Sequence, residues 1–244
     1  MQISKRVVEV LKSLKREIQT SCSTCKGVGC PTCAEKFLPH VKMAKAAIPV
    51  KFYSLELDDY TKCTLAKAKV TKYINKIDEA YKRGIGLYFY GASGLGKSFL
   101  QAVVIKSALR KGYSALCTTL SQILTMFGDS FYDKGARDEY QREVLQVQFL
   151  AIDDIDKTYI SEKSTYALAA FDQVIRTRSN ELLPTIISSN KPREELFTQD
   201  STFYSSSVSL LSEHLLDVMF SGKVDARVFE ISPQITKEFF GGTK

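Results

Sequence analysis

The chain has 244 residues, 44% of them apolar and 25% charged, enough to bury a core and incompatible with a wholly disordered polypeptide. Its longest apolar runs, such as Ile85 to Tyr90, fall far short of the roughly 18 residues a membrane-spanning helix needs, and MQISKRVVEVLKSLKREIQT lacks the continuous apolar centre of a secretion signal. A soluble, cytoplasmic protein with no membrane partner is expected. The formal charge of +7 lies wholly in residues 1–51, where ten Lys and Arg face three Glu; the rest of the chain holds 24 of each sign. Such a segment suits an anionic partner or forms a solvated basic surface.

Val7, Leu11, Leu14 and Ile18 recur at helical spacing among Lys12, Lys15, Arg16 and Glu17, which predicts an amphipathic helix. So small a segment buries little alone, and its stripe must lie on the main domain or on another protein. Next come Cys22, Cys25, Cys30 and Cys33, reading C-x-x-C-x4-C-x-x-C. Two such knuckles match tetrahedral Zn²⁺, and four sulfur ligands leave no coordination position open, so the metal is structural. Gly27 and Gly29 stand where a tight knuckle needs positive φ. Residues 34–49, with Pro39 and Pro49 and few periodic signals, read as a linker. Cys63 and Cys117 are isolated and read as buried thiols.

The strongest signal begins at Gly86. GLYFYG is a short strand-like run, GASGLGKS follows at once, and FLQAVVIKSALRKG continues with helical periodicity. The pattern G-x-x-x-x-G-K-S therefore stands in the strand, loop and helix context that its phosphate-binding mechanism requires. Residues Gly91, Ala92, Ser93, Gly94, Leu95, Gly96, Lys97 and Ser98 are the candidate ATP cradle. The glycines let backbone N–H groups turn inward, Lys97 reaches the β and γ phosphates, and Ser98 holds Mg²⁺. QFLAIDD is a second apolar strand ending in two acids: Asp153 is the candidate Mg²⁺-linked carboxylate, and Asp154 the group that orients or deprotonates attacking water. PTIISSN is a third, with Asn190 at its polar tip, in reach of the γ phosphate or its water. Lys97, Asp153, Asp154 and Asn190 are the candidate catalytic residues.

Strands are expected near 86–90, 113–118, 147–152, 184–188 and 227–231, with helical segments between them. This alternation predicts an α/β fold with a five-stranded parallel sheet covered on both faces and chemistry at the strand C-terminal ends. After residue 231 only 13 residues follow, too few for a helical lid.

From about Ile48 to Ile231 the chain resembles the AAA+ ATPases of the DnaC/DnaI helicase-loader type, related to the IstB transposition helper. The resemblance rests on IPVKFYSLELDDY, GASGLGKS as Walker A, RKGYSALCTT, LAIDD as Walker B, and PTIISSN as sensor 1. It implies an AAA+ ATPase domain over residues 46–244 and, over residues 1–45, a zinc-bearing helicase-docking module with its linker. The implied activity is slow ATP hydrolysis that controls a grip on a replicative hexameric helicase and on single-stranded DNA. An adaptor or inhibitor with dispensable hydrolysis, and an IstB-like transposition helper, are the rival readings; such helpers commonly lack a zinc module.

Between the second and third strands, Phe127, Phe131, Tyr132 and Tyr140 mix with Lys134, Arg137 and Arg142, a set that either contacts DNA or packs in the core. Two departures from the family pattern stand out. Walker B ends in Asp153-Asp154 where Asp-Glu is common. The segment 206–222, read as a helix, has no arginine at the usual place of the inter-subunit finger, and His214 stands there instead. Arg176, Arg178 and Arg227 are possible substitutes. The gap weighs against ATP-driven self-association and toward a monomer on each helicase subunit.

Overall fold

The computed structural model describes residues 4–155, 165–192 and 214–221. Among them five parallel strands form one sheet in the order β2-β3-β4-β1-β5. They are β1 (Gly86–Gly91), β2 (Ala115–Thr119), β3 (Phe149–Asp153), β4 (Thr185–Ser189) and β5 (Leu215–Phe220). β1 lies between β4 and β5, with Leu87 opposite Ile186 of β4 and Leu216 of β5. Its side chains alternate between the faces, as the two-residue period of a strand dictates. Leu87 and Phe89 enter one apolar cluster with Tyr73, Leu100 and Val104; Tyr88 and Tyr90 enter another with Leu150, Ile187 and Val174. Burial on both sides is why the strand reads as a continuous apolar run.

Helices α3 (Thr64–Asn75), α4 (Ile77–Lys82) and α5 (Lys97–Arg110) contribute to the first cluster. On the other face lie α6 (Leu120–Asp129), α7 (Lys134–Tyr140) and α8 (Thr165–Asn180). The N-terminal pair, α1 (Lys5–Thr20) and α2 (Pro31–Lys45), flanks the cysteine cluster. Ser4 caps α1 by accepting the Val7 N–H, and Pro31 opens α2, where its missing N–H costs nothing. No helix among the described residues is long and apolar enough to cross a membrane.

Three expectations are corrected. Residues 34–45 are no linker but most of α2, which contains Pro39 and ends in a helix stop: Ala47 takes a left-handed φ of 51° and the Ile48 N–H donates to the Met43 carbonyl at 3.1 Å. Met43, Ala44, Ala46 and Ile48 are buried in the first cluster. The place beside β1 belongs to 215–220, whereas the strand expected at 227–231 lies outside the described residues. That same run, LLDVMF, was expected inside a helix over 206–222. A run of six residues, apolar but for Asp217, has no periodicity that separates a doubly buried strand from a helix turn, and pairing with β1 decides it. His214 consequently stands immediately before β5, an outer strand of the sheet among the described residues.

The α1 stripe is half-buried on the chain itself, where Val7, Leu11 and Leu14 pack against the first cluster. In the 120–145 region the core reading holds for Tyr140, which is buried with Leu120 and Ile123, while Phe127 contacts the rings of Phe131, Tyr140 and Tyr166. Phe131 and Tyr132 point outward, Tyr132 being 94% exposed.

Candidate nucleotide site and metal centre

The crevice forms where β1, β3 and β4 end. Gly91 closes β1 with a φ of 138° and lies so near the Phe220 carbonyl that a Cβ would collide with it. The chain turns through Gly94 (φ 81°) and Gly96 (φ 90°) into α5. Positive-φ glycines leading into a helix N-terminus are the local geometry that aims backbone N–H groups at an anion. The Lys97 ammonium donates to the carbonyls of Gly91 (2.6 Å) and Ala92 (3.0 Å) and to Asn190 Oδ1 (2.9 Å). The loop lysine and the β4-tip amide, 93 residues apart, thus meet directly.

Ser188 of β4 joins the two acids. Its hydroxyl donates to the Asp153 carboxylate and accepts the Asp154 N–H at 3.0 Å. Asp154 has a φ of 59°, a left-handed conformation that aspartate tolerates better than most residues, and the following N–H, of Ile155, returns to the Ser188 carbonyl at 3.1 Å. Ser93, Gly94, Gly96, Lys97, Ser98, Asp153, Asp154 and Asn190 line one cavity of about 450 Å³. Gly91, Ala92 and Leu95 frame it through carbonyls that accept from Lys97 and, at 2.6 Å, from the Tyr60 hydroxyl.

Sequence reasoning missed the opposite wall, which comes from the segment before α3. Phe52, Leu55, Tyr60 and Lys62 line the same cavity. Tyr60 stacks on Phe99 of α5 (centroids 5.7 Å, planes 17° apart), Phe52 meets Phe99 edge-on, and the Lys62 ammonium donates to the Gly94 carbonyl. The available signal was the density of aromatics in the otherwise charged stretch KFYSLELDDYTK, since such rings offer a flat apolar surface to a nucleobase. Lys106 of α5 holds this wall from beneath. It is 3% exposed, donates to the carbonyls of Phe52 (3.3 Å), Tyr53 (3.2 Å) and Leu55, and pairs with Glu56 at 2.9 Å. Burial opposes the Glu56 charge, but Arg110 and Lys106 outweigh it and hold the carboxyl below its usual range.

The four cysteine sulfurs lie within 4.8 Å of one another, with 3.8 Å from Cys22 to Cys30, 3.4 Å from Cys25 to Cys33 and 3.7 Å from Cys30 to Cys33. Thiolates about 2.3 Å from a tetrahedral Zn²⁺ stand roughly 3.8 Å apart, so the set fits the ion. Lys26, Gly27 and Gly29 supply the positive φ of the turn, and the Gly29 N–H points at Cys25 Sγ, 3.2 Å away. Backbone N–H groups of Cys25 and Thr24 lower the Cys22 thiol to about 6, whereas burial pushes Cys33 up to about 12. A cation held among them would keep all four as thiolates together.

Of the substitute arginines, Arg178 is excluded as an inter-subunit finger. It is 1% exposed and donates to the carbonyls of Val144 (3.0 Å), Val147 (2.7 Å) and Pro184 (2.8 Å) and to Thr185 Oγ1 (2.9 Å), tying α8 to the starts of β3 and β4. Arg176 is exposed and pairs with Asp172 on its own helix; Arg227 lies outside the described residues.

A parallel sheet with a phosphate loop after β1, an asparagine just past the end of the adjoining strand β4 and paired acids at the end of β3 beyond it defines a P-loop protein of the AAA+ type. The chain belongs to the IstB-like ATP-binding protein family, whose model matches residues 35–220. It is 27% identical over 158 residues to the replicative helicase loader DnaC of Escherichia coli (64% of this chain, 58% of the relative). It is 28% identical over 145 residues to the replicative helicase loader DnaI of Bacillus subtilis (59% and 45%). The matches thus span about half the length of these relatives. A crystal structure of the DnaC helicase loader superposes with a TM-score of 0.59 at 19% identity, covering 71% of this chain and all of the other, which is a likeness of fold.

Proposed function

We propose that this protein is an ATP-driven loader that grips a replicative hexameric helicase and helps place it on single-stranded DNA in the cytoplasm, with residues 1–45 as a zinc-bearing docking module and 46–244 as the ATPase. The observation that carries the reading is the meeting of Lys97, Asp153, Asp154 and Asn190 on one crevice, in a chain whose ATPase fold is preceded by a four-cysteine cluster. Similarity to DnaC and DnaI supports the choice of partner.

In this reading the loop and Lys97 bind the triphosphate, Ser98 and Asp153 hold Mg²⁺, and Tyr60, Phe52 and Phe99 shelter the base. Bound Mg²⁺ neutralises charge on the phosphate oxygens. Ser188 keeps the Asp153 carboxylate aimed into the crevice and fixes the backbone of Asp154, which orients the attacking water and accepts its proton. Asn190 leaves Lys97 for the γ phosphate or the water, so strand β4 registers which nucleotide is present. Asp154 is one methylene shorter than the common Glu, which suits slow turnover. Tyr132, with Lys134 close by in the chain, offers an exposed ring and a cation to single-stranded DNA.

The test is phosphate release measured with single-stranded DNA and the host's hexameric helicase present. Turnover well above that of a Lys97→Ala control is expected; none would leave a binding adaptor. Similarity to an insertion sequence IS21-like putative ATP-binding protein of Bacteroides fragilis, 28% identical over 123 residues, supports a second reading, a transposition helper. Preference for duplex over single-stranded DNA, with no affinity for a hexameric helicase, would select it.

A further inference from the structure

A second cavity, of about 380 Å³, lies between α2 and α5 on the far side of the segment that walls the nucleotide crevice. Phe52 and Leu55 face the crevice, while Tyr53 and Glu56, interleaved with them, face this cavity. The two spaces therefore share one stretch of backbone, and Lys106 holds it by the carbonyls of Phe52, Tyr53 and Leu55.

Two buried polar atoms here have no hydrogen-bond partner among the described residues, the Tyr53 hydroxyl and His40 Nδ1. Tyr53 is only 7% exposed, and the two rings stand 6.4 Å apart. Folded proteins rarely leave such groups unmet, so each signals a ligand or ordered water. Burial pushes the Tyr53 phenol up, so it stays protonated and donates; burial and then the nearby Lys106 hold His40 below its ordinary value, so the imidazole is neutral at neutral pH. A neutral imidazole with a proton on Nδ1 donates there too. Glu35 offsets Lys42 in the lining, and Glu56 is shared between Lys106 and Arg110, so three cations face two carboxylates and the lining keeps one positive charge in excess. The rest of the wall is apolar, from Leu38, Met43 and Leu109.

We infer that this cavity binds a small organic carboxylate with an apolar body, whose oxygens accept from Tyr53 and His40, and that its occupancy alters nucleotide affinity through the shared segment 52–56. Two donors, surplus positive charge and apolar walls are the complement of such a molecule, and the volume lies within the range of small-ligand pockets. The inference does not depend on the identity of the macromolecular partner.

The probe is 3-phenylpropionate, titrated into the full-length protein and followed through the imidazole resonances. The chain has only two histidines, so a His214→Asn variant assigns His40. Saturable binding that shifts the His40 signals, weakens about tenfold in Tyr53→Phe and is several-fold weaker for the neutral 3-phenylpropionamide is the expected result. Leu38→Trp, at an exposed position on the mouth, should block the probe without touching the core. No shift of His40 at millimolar probe means that water alone meets these atoms and overturns the inference. Equal affinity in Tyr53→Phe, or for the amide, overturns the assigned chemistry. A His40 shift caused only by the purified helicase makes the cavity a protein-docking pocket and likewise overturns the small-ligand assignment. Unchanged ADP affinity with the probe saturating removes the coupling.

Discussion

The nucleotide crevice and the cysteine cluster are opposite solutions to holding polar groups in place. Lys97 and Asn190 meet across 93 residues because a buried parallel sheet brings two strand ends together. Cys22 to Cys33 meet within twelve residues, by local turns at Lys26, Gly27 and Gly29, and the α1 helix behind them contains no fully buried residue. The first site is preorganised by the core. The second has little core of its own, and a metal held by its four sulfurs would supply the missing cohesion.

Breaking the second site should therefore have the largest effect and stay local. Structural Zn²⁺ contributes roughly 10 kcal/mol or more in small domains. Chelation, or Cys22→Ser with Cys25→Ser, is expected to abolish metal content and amide-exchange protection over residues 5–33 while nucleotide affinity persists. Loss of both together would mean that the two regions form one cooperative unit. Arg178→Met attacks the sheet itself. It leaves several buried carbonyls unpaired, and about 3–5 kcal/mol of stability should vanish in urea unfolding. Turnover per folded molecule should keep its dependence on protein concentration, because Arg178 is not a finger.

A gentler contrast is Lys97→Ala, expected to lower phosphate release roughly a hundredfold, about 2.7 kcal/mol, with an unchanged melting temperature. Smallest is Gly96→Ala. Its Cβ would come 2.6 Å from the Tyr60 ring at a φ of 90°, and a cost on the order of 1–2 kcal/mol should appear as weaker nucleotide binding in calorimetry. If Gly96→Ala bound normally, the Tyr60 wall would have no part in the site.

How much of this was legible in the sequence follows the same division. β1, the phosphate loop, β3 and β4 could be read because each is a short apolar run ending in the polar groups that do chemistry. Leu215 to Phe220 could not, because five apolar residues interrupted by Asp217 take strand form only through the Gly86 to Gly91 partner, far away in the chain. Residues 34–45 were misread because Pro39 suggested a break, whereas the helix of residues 31–45 accommodates it. Tyr60 and Phe52 escaped notice because nothing local announces that a segment some 35 residues upstream folds over the loop. The cysteine spacing was clear for the opposite reason, since all its geometry is local.

The Cys117 N–H of β2, the outermost strand on its side among the described residues, donates to the Ala46 carbonyl at 2.8 Å. The chain leaving α2 thereby shields part of a sheet margin that would otherwise be open to another copy's strand. A shortened protein starting after residue 49 would bare that margin. It should be harvested as insoluble or oligomeric material, however intact its phosphate loop.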